Sequence, residues 1–537
     1  MEPPRKQFKL PLERIEVELT PLREMKDFVN VSGLCSAGLS EEESDRRRLF
    51  MRNASLELLN KLRGDFRGLR IFGAPGVGKS ILVWMWACDE FLTNKKKVLW
   101  VHLRKMRFSQ SVLMSGGEVF KVEDTDADYV LFSDADIIVV DGVTEGESQE
   151  YTRNLFYWEG YRKHRKCVQV ASTQLRINKV DDKIDKILRF KLPPWTLQEY
   201  ITACRDREFY NEVSCMFEDL REGAANEDIA SLKDEDREDV IAEKFFYAGG
   251  SARWMFNFTT KQVMEEIMDE SQKVDSFNTL IKGGGGDASK STVNHLWVEY
   301  PVASGGGLKK SFFFVSQYVA REMLRLCGAA DMKLLYTMAR DLRNPALLGW
   351  VIEMGFIKIL HDCACPNDDT HPKSPARVWT FAADGTVDEQ TWDVPGIVDF
   401  EMDTIGSVKE SILRHFWLRP SKWNQGGYDL ACLLNVDGQY VLRFVQVTAA
   451  RKHSLKLGYF RDLATKVHDT IPEIELTAIE IVMLVPDKEA ASKFRIPHAQ
   501  VTSAGALNLW FCGNTKEYWK EGKEEEQVGV YWFESRK

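Results

Sequence analysis

From Leu69 onward, short apolar runs recur between longer amphipathic stretches. LRIFGAP, KVLWVHL, ADIIVVDGV and KCVQVAST are compact, rich in β-branched residues and closed by turn residues. Such runs read as buried strands, and their alternation with helical periodicity reads as a parallel α/β sheet. Ahead of them, residues 40–63 (SEEESDRRRLFMRNASLELLNKLR) open with acids after Ser40 and continue with apolar residues at helical spacing, which predicts a helix. Gly283–Gly286 and Gly305–Gly307 support neither a helix nor a packed strand, so a linker is expected there. Residues 311–360 have helical spacing, ending in NPALLGWVIEMGFIKIL, and the region to about residue 400 is irregular. YDLACLLNV and YVLRFVQVT then predict two strands of a hairpin turning at Asp437-Gly438. LKLGYFRDLATKV predicts a helix and LTAIEIVMLVP a buried strand. The pattern divides into an N-terminal extension (1–44), an α/β domain (45–270), a glycine-rich linker (271–310) and a second α/β domain (311–537).

Composition narrows the function classes. The 537 residues are 44% hydrophobic and 28% charged, a globular balance, with a net charge of −9 that argues against coating DNA by bulk positive charge. That net value hides a contrast: residues 217–244 hold 11 Asp or Glu against 4 Lys or Arg, and residues 405–470 hold 10 Lys or Arg against 5 Asp or Glu. No apolar run approaches the ~20 residues that span a bilayer, and the N-terminus has no apolar core of signal-peptide length. Ten cysteines spread over the chain read as reduced thiols of a cytosolic or nuclear protein. His361, Cys363, Cys365 and His371 offer soft ligands for zinc, but the Cys-x-Cys spacing and the Asn, Asp and Pro around it favour a metal-free loop.

The strongest chemical motif is Gly73-Ala74-Pro75-Gly76-Val77-Gly78-Lys79-Ser80, a P-loop between the strand Leu69–Phe72 and an apolar helix. Its glycines let backbone N–H groups cradle a β-phosphate at a helix N-terminus. Lys79 is expected to reach the β- and γ-phosphates of ATP or another NTP, and Ser80 to ligate Mg2+. The second magnesium ligand is expected from Asp141, which closes the apolar strand Ile137–Val140. Gly142 stands where many P-loop ATPases carry a hydrolytic Glu, which leaves Glu145 or Glu147 as candidate bases. Gln174, after the strand Cys167–Ala171, and Arg253, in AGGSARWMF, are candidate phosphate sensors.

A second site is readable in the C-terminal half. A metal-dependent nuclease needs carboxylates at a strand hairpin, usually with a lysine. Asp429 begins one strand, Gln446-Val447-Thr448 lies on the next, and Glu353 sits on a preceding helix. Asp429 and Gln446 are the expected metal ligands, with Glu353 completing the site. Gln446 and Thr448 stand where an acid and a lysine are usual; Lys452 or His453 could restore the cation or base. Arg414, Arg419, Lys422, Arg451, Lys452 and Lys456 flank the site with Trp417, Trp423 and Tyr459, a mixture that suits nucleic-acid backbone contacts and base stacking. Two readings stand: a cleaving nuclease, or a nuclease fold that binds without cutting.

The ordered set GAPGVGKS, VLWVHLRK, IIVVDGV, VASTQL, LPPWTLQEY and YAGGSARWMF resembles the NTPase module of the Crinkler effectors of oomycetes and fungi, and equally the retrotransposon hot spot proteins of trypanosomes. Pro194–Tyr200 is its most particular marker. The resemblance covers residues 45–262 and resumes over 311–470, where WLRPSKWNQGGYDL and FVQVTAARKHSLKL are similar to the family's domain related to restriction endonucleases. It implies an AAA-like P-loop NTPase with a parallel sheet, fused to an α/β restriction-endonuclease-like domain. It also implies DNA or RNA as partner and placement in the nucleus or cytoplasm, the host nucleus for a secreted effector. An oligomer is compatible with it. Against this stands an NTP-dependent scaffold for protein partners, with no nucleic-acid role.

Overall fold

The computed structural model describes residues 12–22, 26–40, 47–103, 110–122, 127–143, 150–151, 153–155, 165–171, 186–221, 234–274, 296–304, 307–327, 329–341, 345–364, 375–382, 384–402, 405–408, 410–421, 427–436, 438–498, 501–502, 507, 511–512, 517–520 and 522–533. The chain is a mixed α/β protein with two compact units, Met1–Val319 and Ala320–Lys537.

In the first unit, β1 (Leu12–Ile15) lies on the main sheet, and β2 (Phe28–Val31) pairs with β3 (Arg47–Phe50) as a separate antiparallel ribbon. The main sheet continues with β4 (Gly68–Phe72), β5 (Val98–His102), β6 (Gln110–Ser115), β7 (Glu118–Val122), β8 (Ile137–Val143), β9 (Lys166–Ala171) and β10 (Leu188–Lys191). Its order is β1-β7-β6-β5-β8-β9-β4-β10. The five strands β5, β8, β9, β4 and β10 run parallel, and β6, β7 and β1 extend the β5 edge antiparallel. All four runs predicted as buried strands fall in the parallel part. A parallel strand is covered on both faces, so it reads as continuous apolar residues; Ile138, Val139 and Val140 are fully buried.

The helix Lys79–Asn94 is buried over most of its surface, with Trp84 and Trp86 wholly enclosed. Trp84 meets Trp100 of β5 edge-on at 5.2 Å and donates its indole N–H to the Ser32 carbonyl at 2.9 Å.

One expectation needs correction here. Of the predicted helix over 40–63, Asn53–Arg63 is helical and Arg47–Phe50 is β3, while residues 41–46 lie outside the described residues. Phe50 packs on Phe28 at 5.3 Å and Arg48 lies over the Phe28 ring while pairing with Asp206 and Glu208. Those tertiary contacts outweigh a local helical pattern, as such contacts commonly do. Within the expected linker, residues 275–295 lie outside the described residues, Thr260–Gln272 is a capped helix, and β11 (Trp297–Ser304) pairs with β12 (Gly307–Phe314). Ser304 pairs with Gly307, the last residue of the second glycine run.

The second unit begins within the helix Gln317–Leu326 and continues with helices Ala329–Asp341 and Pro345–Ala364. Its sheet contains β13 (Ala376–Phe381), β14 (Val387–Trp392), β15 (Ile397–Phe400), β16 (Trp417–Pro420), β17 (Leu430–Val436) and β18 (Gln439–Val447). The short strand β19 (Leu455–Lys456) stands apart from it, and β20 (Leu476–Val485) rejoins it. The strand Val528–Trp532 lies between β13 and β20, giving the order β14-β13-(Val528–Trp532)-β20-β18-β17-β16-β15. Here the region expected to be irregular up to residue 400 is corrected: it holds the β13–β14 hairpin and β15. β14 (VDEQTW) is largely exposed and polar, so its strand character has no apolar signal. The β17–β18 hairpin forms where expected, with Val436 paired to Gln439 and Gly438 at φ +86°, a conformation glycine adopts without strain. The helix Leu457–Thr470 returns the chain to β20, parallel to β18. It buries Phe460 against Phe444 and Tyr428.

Candidate functional sites

The P-loop leaves the carboxyl end of β4 and enters the helix Lys79–Asn94 through Gly78, which has φ +98°. Gly76 has φ +76°, and a Cβ there would lie 2.2 Å from Ser251 Oγ and 2.9 Å from Arg253 Cβ. A Cβ on Gly73 would stand 2.7 Å from the Leu192 carbonyl oxygen. Both glycines are thus required by close approach, and Gly76 by its left-handed backbone as well. Ala74, Pro75 and Val77 complete the turn. Lys79 Nζ donates to the Gly73 and Ala74 carbonyls at 2.8 and 2.7 Å, folding back over the loop. Burial draws the Lys79 ammonium down to about 8, with Asp141 holding it up and Arg253 pushing it further down.

Asp141 is 1% exposed, two residues before the end of β8. Its Oδ1 accepts the Ser80 hydroxyl at 2.8 Å, and its Oδ2 lies 2.7 Å from His102 Nδ1. The sequence-predicted pair Ser80 and Asp141 is therefore in direct contact, although β9 lies between β4, which leads into the P-loop, and β8, which carries Asp141. His102 was not a candidate. Its partnership depends on the β5–β8 register, in which His102 stands opposite Asp141, and no local motif reports it. Arg253 lies on the first turn of the helix Ala252–Asn257, its backbone N–H donating to the Gly76 carbonyl at 3.3 Å. Gln174, Glu145 and Glu147 lie outside the described residues.

Behind the loop stands the Pro194–Tyr200 marker. Thr196 and Glu199 form a reciprocal capping box at the start of the helix Leu197–Cys204. Trp195 stacks on Tyr200 at 5.0 Å and donates its indole N–H to the Val77 carbonyl at 3.4 Å. Arg52, also missed by sequence reasoning, is buried beneath it. Its guanidinium donates to the carbonyls of Pro193 (2.5 Å), Pro194 (3.0 Å) and Val77 (3.4 Å), lies 3.5 Å from Glu199, and faces the Trp195 ring. Arg52 thus ties the P-loop backbone to the marker segment.

In the second unit, Glu353, Asp429 and Gln446 do come together. Asp429 precedes β17, and its Oδ2 accepts Gln446 Nε2 at 2.8 Å and the Val447 N–H at 2.6 Å. Burial raises the Asp429 carboxyl well above the usual range, and the neighbouring Glu353 charge raises it further, against the Val447 N–H. Burial likewise raises Glu353, opposed by Arg321 and Arg419. Arg419 makes a bidentate pair with Asp399, and Arg321 bonds the Ser421 carbonyl at 3.2 Å. Thr448 is buried, and its Oγ1 accepts the Ala450 N–H at 3.1 Å.

Lys452 is exposed and bridges through its backbone to Arg495, while His453 Nδ1 pairs with the Ser454 carbonyl. Among the described residues no group of three or more His, Cys, Asp or Glu could hold a metal ion. Of the zinc candidates, His361 and Cys363 are on the helix Pro345–Ala364, and Cys365 and His371 lie outside the described residues.

The basic and aromatic surround also changes. Trp417 is 2% exposed, stacks on Trp392 at 5.5 Å and donates to the Asp393 carbonyl, so it is a core residue and not a stacking platform for bases. Arg414 is held by Glu410 and Tyr440. Arg451, Lys452 and Lys456 remain exposed after β18; Lys422 and Trp423 lie outside the described residues. No helix among the described residues is long and apolar enough to cross a membrane.

No family model and no curated protein matches the chain. Similar solved structures include one described as the structural basis for katanin self-assembly, at 12% identity over 45% of this chain and 70% of that one, with a TM-score of 0.22. Another is AMPPCP-bound DnaA from Aquifex aeolicus, at 11% identity over 53% of this chain and 80% of that one, also with a TM-score of 0.22. A TM-score of 0.22 is too low to define a shared fold.

Proposed function

We propose that the chain is a Mg2+-dependent nucleoside-triphosphate hydrolase, AAA-like in topology, with a nuclease-like C-terminal unit that engages DNA or RNA. The observation that carries the first half is the contact of Ser80 Oγ with Asp141 Oδ1 at the mouth of a P-loop. The insertion of β9 between the P-loop strand and the Asp141 strand supports the AAA-like reading. Both side chains offer oxygen, the donor that Mg2+ prefers, and Asp141 is sequestered from bulk water. Ser80 and Asp141 would hold the ion, which when bound neutralises charge on the phosphates. Lys79 would exchange its two loop carbonyls for phosphate oxygens, and the loop N–H groups after Gly76 would bind the β-phosphate. Thermal unfolding in Mg-ATP tests binding: a ligand at 100 times its Kd stabilises by about 2.7 kcal/mol. An unfolding temperature that ignores nucleotide contradicts the reading.

For the C-terminal unit, binding without cleavage is the better supported of the two readings. Asp429 Oδ2 is already engaged by Gln446 and the Val447 N–H, and Thr448 is turned toward Ala450. Purified protein with Mg2+ or Mn2+ is expected to bind plasmid in a salt-dependent manner without nicking it. Nicking that Asp429→Ala abolishes would instead select the cleaving reading, and the absence of any binding would favour a protein scaffold.

A further inference from the structure

We propose that His102 is a catalytic residue of the nucleotide site, accepting the hydrogen bond that orients the attacking water; this rests on the hydrolase reading above. The residue after Asp141 is Gly142, with φ +81°, and a Cβ there would lie 2.4 Å from the Leu103 carbonyl oxygen. No side chain fits at that position, so the glutamate that serves many P-loop ATPases has no room. His102 stands at the carboxyl end of the adjacent parallel strand, opposite Asp141 in register. Asp141 Oδ1 already takes the Ser80 hydroxyl, and Oδ2 takes His102 Nδ1 at 2.7 Å. A carboxylate only accepts, so Nδ1 donates and the neutral ring presents Nε2 as its acceptor. The same carboxylate that meets Ser80 therefore fixes the tautomer and orientation of the imidazole, the arrangement by which acids orient histidines in active sites. The His102 side chain keeps 18% of its exposure while Asp141 keeps 1%, so the ring is the more accessible member of the pair.

In the step this serves, the water oxygen bonds to the γ-phosphorus. The bond from phosphorus to the β–γ bridging oxygen breaks, and its electron pair leaves with the nucleoside diphosphate. The water proton departs on the phosphate product, so His102 positions the nucleophile without changing its own charge.

His102→Asn separates accepting from mere orientation. Its amide N–H can still donate to Asp141, but nothing replaces Nε2. In the full chain, with Mg-ATP, kcat is expected to fall about 100-fold, the order of loss that follows when a reacting group is no longer held in place. KM and the Kd of a fluorescent ATP analogue are expected to stay at wild-type values, which also shows that the variant folds. Retained kcat would overturn the proposal, because orienting Asp141 would then suffice. A Kd that weakens in step with kcat would also overturn it, because His102 would then only hold a metal ligand in place. A wild-type chain that binds nucleotide without turning it over fails at the hydrolase reading instead, before the variant is compared.

Discussion

Arg52 links two parts of the nucleotide site, and its removal has a calculable cost. Arg52→Ala leaves the Val77, Pro193 and Pro194 carbonyls without their shared donor, strips Glu199 of its cation, and opens a gap beneath Trp195. Arg52 is itself buried, and breaking up a buried charged group costs about 3–5 kcal/mol, even though Val77 keeps the Trp195 N–H and Glu199 its capping bonds. At about 2–4 °C per kcal/mol, the first unit should unfold roughly 6–20 °C lower. Arg52→Lys should recover only part of this loss, since an ammonium lacks the planar fork that reaches three carbonyls. The Val77 carbonyl is part of the P-loop, so nucleotide affinity should fall as well. Circular dichroism melts with and without Mg-ATP, together with titration of a fluorescent ATP analogue, measure both effects. An Arg52→Ala chain that melts within about 2 °C of wild type and binds nucleotide equally well would refute the buttressing role.

Two further outcomes follow from the same geometry. Gly76→Ala forces a side chain into a left-handed backbone, costing about 1–2 kcal/mol, and displaces the helix cap Ser251 for about 1 more; nucleotide affinity should drop about tenfold or more, and unchanged affinity would remove the steric argument. For Asp429, the folded carboxyl is raised by burial and by Glu353, so the stability it contributes is complete at low pH and lost as pH rises through the raised value. Asp429→Asn should therefore melt above wild type at pH 8, with the gap closing toward pH 4; a gap that widens on acidification would contradict the sign.

The P-loop, Asp141, and the trio Glu353, Asp429 and Gln446 were legible in the sequence because each sits beside a distinctive apolar strand or helix whose end fixes its place. His102 and Arg52 were not, because their roles arise from strand register and from side-chain contacts with residues far along the chain. Trp417 was misread because a tryptophan among cations looks alike in a core and on a base-stacking surface; only its stacking on Trp392 distinguishes them. The polar hairpin β13–β14 escaped because its outer strand has no buried face to impose period two on the sequence.

The central claim is that Lys79, Ser80 and Asp141 form a working nucleotide site. Steady-state phosphate release from Mg-ATP by wild-type protein and by Lys79→Ala tests it most directly. The account predicts turnover by the wild type that falls to background in the variant, since Lys79 is the side chain that reaches the transferred phosphate. Turnover equal in both would contradict it.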